Sequence, residues 1–160
     1  MTPFPPPFLL IRRLHRQPGF TLTELMAALL VVMVLAGLSW SSYQHAVLKA
    51  RRAEGRAALL QVLLQQERQF AYQQRYQAFE PAQGVPRESD DFKWYSGGTP
   101  QTSAYALSAR ACDGAALDSC VLVTATPGGP GVHAGFSDSA CGRLHADSRG
   151  GRSADGPDCW

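Results

Sequence analysis

Two places in this sequence hold residues whose type and spacing point to chemistry. The first is a set of four cysteines, Cys112, Cys120, Cys141 and Cys159, all in the last third of the 160 residues. An even number of thiols, all on one side of a long apolar run, predicts disulfides made in an oxidising compartment. Seven residues lie between Cys112 and Cys120 and seventeen between Cys141 and Cys159, with no Cys-x-x-Cys. That argues against structural zinc, which favours closely spaced ligand pairs. Four cysteines allow three pairings, and spacing alone does not choose among them. The second place is Glu24, a lone carboxylate near the start of an apolar run from Phe20 to Leu38. A charge inside a membrane segment costs a few kcal/mol or more, so it calls for a partner and a purpose.

Other polar groups carry less. His133 and His145 lie on weak strand patterns without a nearby nucleophile, and Ser137, Ser139 and Ser148 belong to turns. Asp113 and Asp118 flank a short stretch where calcium is conceivable, as do Asp90 and Asp91, but neither pair has EF-hand spacing. They read as solvated loop charges. The glycines of 128–131 lack the lysine and helix of a phosphate loop. No catalytic constellation, resident metal or cofactor is expected, and the chain is not read as an enzyme.

The elements that must position these residues follow from charge and periodicity. Residues 1–19 hold Arg12, Arg13 and Arg16 and no acid. Arginines before an apolar run of about twenty residues predict a single membrane-spanning helix with a cytoplasmic N-terminus. A secretory signal would have its cleavage site after the apolar core, not before it. No proline occurs from Phe20 to Glu80, which predicts one helix from Phe20 to about Phe79, a rod of about 90 Å. Its first half (20–40) is apolar all round and must be covered by lipid or by other copies. Its second half (41–80) is amphipathic, with Ala46, Ala50, Ala53, Ala57, Leu60, Leu64 and Ala71 as the stripe to be buried and Leu59, Leu63 and Phe70 alongside. Arg51, Arg52 and Arg56 read as a solvated helix face.

Residues 81–103, rich in Pro, Gly, Ser and Asp, read as a connecting loop that Phe92, Trp94 and Tyr95 pin to the core. Residues 104–160 alternate strands and turns. Ala104–Ala111 and Cys120–Thr126 are the firmer strands, and Val132–Phe136 and Gly142–Ala146 the weaker ones. The fold class is therefore α+β, a long N-terminal helix packed on a small antiparallel sheet. The net charge is +2 overall. From Pro81 onward, six basic against nine acidic residues give −3, which argues against a bulk basic surface for nucleic acid.

Gly19-Phe20-Thr21-Leu22-Thr23-Glu24-Leu25 resembles the processing site of type IV prepilins and pseudopilins. Arg51-Arg52-Ala53-Glu54-Gly55-Arg56 with Glu67-Arg68-Gln69-Phe70 is similar to the helix of PilE-like and ComP-like pilins. Cys141-Gly142-Arg143-Leu144-His145-Ala146-Asp147-Ser148 through Cys159-Trp160 resembles their C-terminal ending. Where related pilins often carry an aromatic-Pro-Ser-Tyr kink, this chain has Trp40-Ser41-Ser42-Tyr43.

The resemblance implies a type IV pilin, with a minor subunit the expectation. Residues 1–19 would be a leader removed by prepilin peptidase between Gly19 and Phe20, and the new amino group of Phe20 would be methylated from S-adenosylmethionine by the same enzyme. Glu24 would pair with the Phe20 ammonium of a neighbouring pilin subunit. The chain would wait in the inner membrane of a Gram-negative cell, then be moved by the pilus assembly machinery into an extracellular filament serving adhesion, motility or DNA uptake. The resemblance also implies a Cys141–Cys159 bridge, leaving Cys112–Cys120 as a local one. Two alternatives stand beside the structural pilin: a ComP-like DNA receptor, with a strip of Arg110, Arg143, Arg149 and Arg152, and a type II secretion pseudopilin.

Overall fold

The structure is a computed structural model that describes residues 19–81, 92–129 and 131–160. The expectations for the leader before Gly19, for its three arginines and for Asp90-Asp91 lie outside those residues. The chain divides into two compact units, Met1–Ser42 and Tyr43–Trp160. Helix α1, Leu22–Gln73, contributes to both. In the first unit it is long and apolar enough to cross a membrane, and none of that apolar window is buried within the chain.

The second unit is an α+β head. Strands β1 (Tyr105–Ala111), β2 (Val121–Pro127), β3 (Leu144–Asp147) and β4 (Arg152–Ala154) form one antiparallel sheet in the order β1-β2-β3-β4. Its inner rows are Leu107, Ala125 and Leu144, then Ala109, Val123 and Ala146, all buried. Period-two alternation sends the intervening side chains to the opposite face. Against the inner face α1 lays Ala58, Leu59 and Val62. Gly55 lets helix and sheet approach closely, since a Cβ there would stand 2.9 Å from the ring of Tyr105.

The helix ends six residues short of the expected stop near Phe79. Gln74 takes φ +55°, and its N–H donates to Phe70 O at 2.8 Å, closing the helix in a left-handed cap. The chain then turns back along the last turns of α1. Gln66, fully buried, holds it there: its Nε2 donates to Gln77 O at 2.7 Å and its Oε1 accepts from Gln77 N at 2.9 Å. Tyr76 stacks on Phe70, and Phe79 exchanges two backbone bonds with Ala109 on the free edge of β1. The stop is set by these tertiary bonds and not by a glycine or proline.

The buried stripe is also displaced from the expected one. Gly55, Ala58, Leu59, Val62 and Gln66 face the sheet, whereas Ala46, Ala50, Ala53, Ala57, Leu60 and Leu64 are exposed. From Phe92 on, the stretch before β1 meets the core: Phe92 is buried against Phe79, and Trp94 and Ser96 bond to the β1 edge at Leu107 and Tyr105. Val132–Phe136 is a pair of turns after Gly131 at φ +80° rather than a strand. Gly142, at φ +59°, keeps β3 from starting before Leu144.

Candidate functional site

At the start of α1 the sequence Thr21-Leu22-Thr23-Glu24 builds a reciprocal cap. Glu24 N donates to Thr21 Oγ1 at 3.2 Å, and Glu24 Oε2 accepts from Thr21 N and from Thr21 Oγ1, at 3.3 and 3.2 Å. This is a capping box, which satisfies donors that a helix N-terminus otherwise leaves open. The Thr-x-x-Glu spacing is the local signal for it, overshadowed in sequence by the membrane cost of a lone carboxylate. Gly19 and Phe20 precede the helix outside regular secondary structure, and both are exposed, Phe20 to 88%. The peptide bond between them is therefore open to approach, one residue ahead of the Thr21 cap.

In the head, the four cysteines form two disulfides, Cys112–Cys120 and Cys141–Cys159. The first closes the β1–β2 connection. The second ties the C-terminal segment beneath the sheet, where both its cysteines are buried. Trp160 then donates its Nε1 to Ser153 O at 2.6 Å, and the guanidinium of Arg152 lies 5.7 Å above its ring. β4 exists because this loop is pinned. Arg-Ser-Ala has little strand propensity of its own.

Arg52 departs from its expected place on a solvated face. It donates from Nε and Nη2 to the two oxygens of Asp138, at 2.6 and 2.7 Å. The same carboxylate accepts from Tyr105 Oη at 3.0 Å and from Cys141 N at 3.1 Å. Burial alone pushes the Asp138 carboxyl up; Arg52, the Cys141 N–H and the Tyr105 hydroxyl outweigh it and hold it below the usual carboxylate range. Burial, then the hydrogen bond to Asp138 and that group's charge, push the Tyr105 hydroxyl well up. Asp138 thus joins α1, β1 and the start of the C-terminal disulfide loop. Arg51 remains at the surface, with Glu54 and with Thr102 O.

The four arginines of the expected strip are divided. Arg110 and Arg143 stand on the outer side of the sheet, Arg149 sits in the β3–β4 turn, and Arg152 shares the register of core-facing Ala146. Asp113, across the small cystine loop, pairs with Arg110 at 2.5 Å rather than facing a cation with Asp118. Among the described residues no three His, Cys, Asp or Glu side chains converge as a metal site would require. His133 lines a cleft with His45, Val47 and Phe136. His145 bonds through Nδ1 to Thr124 Oγ1 at 3.0 Å. Ser148 is structural: its hydroxyl accepts from Val121 N.

Two family models match the sequence. Residues 41–145 match the type IV minor pilin ComP, DNA uptake sequence receptor. Residues 14–40 match the prokaryotic N-terminal methylation motif. No curated protein matches the chain.

Proposed function

Since the chain belongs to the family of the type IV minor pilin ComP and is a type IV minor pilin subunit, we propose that it enters the filament by way of cleavage between Gly19 and Phe20 and an assembly contact at Glu24. In this reading residues 1–19 are the leader. Residues 20–40 are first a membrane anchor and then part of the filament core. Residues 41–80, 81–103 and 104–160 form the displayed head. The N-terminal methylation motif supports it, together with an exposed Gly19-Phe20 junction directly ahead of an apolar helix.

The subunit itself is structural, and the chemistry belongs to the prepilin peptidase that cuts and methylates it. The inner membrane, with the N-terminus on the cytoplasmic side, holds the chain before assembly, and other pilins surround it afterwards. Within one chain the Glu24 carboxylate is occupied by Thr21. In a filament core a neighbour's Phe20 ammonium replaces that neutral partner with a charged one, a stronger bond in low dielectric. Mass analysis of the chain recovered from sheared surface filaments tests this reading. A mature N-terminus at methylated Phe20 is expected, and an uncut N-terminus or absence from filaments rejects it. A pseudopilin would remain in the periplasm, so the same fractionation separates the two.

A second reading is favoured by the family's own description as a DNA uptake sequence receptor. We propose that the head binds DNA at the surface of the filament. The −3 charge summed over residues 81–160 does not exclude this, because local placement decides contact with phosphate. A gel shift of the chain with duplex DNA at two salt concentrations tests it. Binding that weakens steeply with salt is expected, and no shift at the lower salt rejects it.

A further inference from the structure

The outer face of the sheet carries a row that neither the subunit role nor the disulfides explain. Register places Ser108, Thr124, His145 and Ser153 side by side across the four strands. Arg110 lies two residues along β1 toward the Cys112–Cys120 loop. Arg143 and Asp155 lie two residues beyond His145 and Ser153, toward the Cys141–Cys159 loop. Asp155 Oδ2 accepts from Arg143 N at 3.0 Å and from Arg143 Nε at 3.1 Å, and its Oδ1 accepts from Arg143 Nη2 at 3.3 Å. His145 Nε2 stands 3.7 Å from the same Oδ1.

A guanidinium fork, a peptide N–H and an imidazole edge on one anion form the donor set that nucleic-acid-binding proteins turn toward a phosphate. Here an aspartate fills it. Arg143 and Asp155 keep 57% and 43% of their side-chain surface in solvent, so the pair contributes little to folding. We propose that Asp155 is an intramolecular stand-in for a DNA phosphate, seated on Arg143 and His145, and that it gives way when a duplex docks on this face. This rests on the DNA reading above.

The groups around His145 add a proton to the exchange. Thr124 faces it from β2, Arg143 from the lead-in to β3, and Ser153 and Asp155 from β4 and just past it, while Arg110 on β1, paired with Asp113, reaches it only through its charge. Burial lowers the imidazole pKa, Asp155 raises it, and the positive charges of Arg143 and Arg110 lower it further, leaving it below its ordinary value. Free His145 is therefore neutral at neutral pH. A docked polyanion favours its charged form, so binding takes up a proton from solvent and tightens as pH falls from neutrality toward the free-state pKa.

The test is a titration of the full processed chain, in detergent, with a short mixed-sequence DNA duplex. It is run at two salt concentrations and from about pH 5.5 to 8, the range in which histidine titrates. Asp155→Asn, which keeps an acceptor for the Arg143 N–H, is expected to tighten binding about two- to fivefold, the strength of an exposed ion pair. Asp118→Asn makes the same charge change in the cystine loop and is expected to leave affinity nearly unchanged. His145→Gln flattens the pH dependence. Equal gains from Asp155→Asn and Asp118→Asn, or an unchanged or weaker affinity in a natively melting Asp155→Asn, overturn the proposal and leave DNA binding standing. Proton uptake on the wild-type chain, measured calorimetrically in buffers of different ionisation enthalpy, needs no variant to fold; zero uptake also overturns it. No binding by the wild type at the lower salt removes both readings.

Discussion

Arg52 and Asp138, separated by 86 residues, form a two-pronged ion pair whose acid has no solvent-exposed side-chain surface. Breaking a buried pair by removing one partner is costly because the other is left charged and dry, by about 3 to 5 kcal/mol. The two partners are not equivalent. Arg52 keeps 19% of its side-chain surface in solvent, whereas Asp138 keeps none. Arg52→Ala is therefore expected to cost about 3 kcal/mol or more in chemical denaturation, and more than Asp138→Asn, which retains an acceptor for Tyr105 and the Cys141 N–H. Equal losses would show that the asymmetry of burial does not govern the pair.

The same pair sets an acid limit. A carboxyl held below its unfolded value contributes stability above about pH 4, and that contribution is lost as pH falls through its folded value. Its lowered pKa therefore predicts a stability gap between wild type and Asp138→Asn that is constant near neutrality and closes under acid. His145 acts in another window. Held below about 6.5, it favours the fold with its proton off. His145→Gln is expected to remove a loss of stability that the wild type shows just below that pH. Thermal melting across pH reads both.

At Gly55 two effects oppose. Alanine would gain about 1 kcal/mol of helix propensity. Its Cβ, however, would sit 2.9 Å from Tyr105 Cδ2, and that ring is fully buried and anchored at its hydroxyl by Asp138. Overpacking a rigid neighbour costs about 1 to 3 kcal/mol. Gly55→Ala is expected to be neutral to about 2 kcal/mol destabilising, and Gly55→Val more so. A stabilised Gly55→Ala would mean that helix and sheet part without cost.

The two disulfides close loops of similar entropic worth, about 2.5 to 3 kcal/mol each on the chain-entropy account, but they differ in what depends on them. Cys112–Cys120 closes a turn at the end of β1 and β2, whose seven paired positions hold by themselves. Cys141–Cys159 holds the segment that supplies β4 and places Cys141 N on Asp138. Replacing the first pair by serine should lower the melting point while leaving amide protection in β3 and β4. Replacing the second should abolish protection of β4 first. Equal local effects would contradict this order.

What could be read from the residues and what could not divides along the range of the forces involved. The apolar run and the strand at Val121–Pro127 are local patterns of composition and period, and they were legible. The stop at Gln73 was not, because it depends on Gln66 bonding to Gln77 after the chain has reversed. Alanines and leucines lie on both sides of α1, so periodicity alone admitted two stripes, and the close approach at Gly55 selected the one that is buried. Arg52 looked like its neighbours in sequence, and only the arrival of Asp138 from the far end of the chain distinguishes it. Asp155 on Arg143 is likewise a product of strand register.

The stripe left uncovered bears on assembly. Leu60 and Leu64 are 37% and 61% exposed, beside the core row of α1, where they line an open groove with Asp147, Ser148 and Gly150. A leucine that becomes covered by a neighbouring subunit is worth about 1.5 to 3 kcal/mol on full burial, whereas a surface change away from the core alters folding by about 0.5 kcal/mol or less. Leu64→Glu is therefore expected to leave the melting point of the head nearly unchanged and to reduce its recovery in sheared filaments several-fold. Glu24→Val is the companion variant. It makes the apolar run more apolar, so insertion is expected to persist, while under the assembly contact proposed for Glu24 a neighbour's Phe20 ammonium would lose its partner and incorporation is expected to be lost. If Leu64→Glu enters filaments as well as the wild type while Glu24→Val does not, assembly depends on the N-terminal contact alone and the exposed stripe faces solvent in the filament.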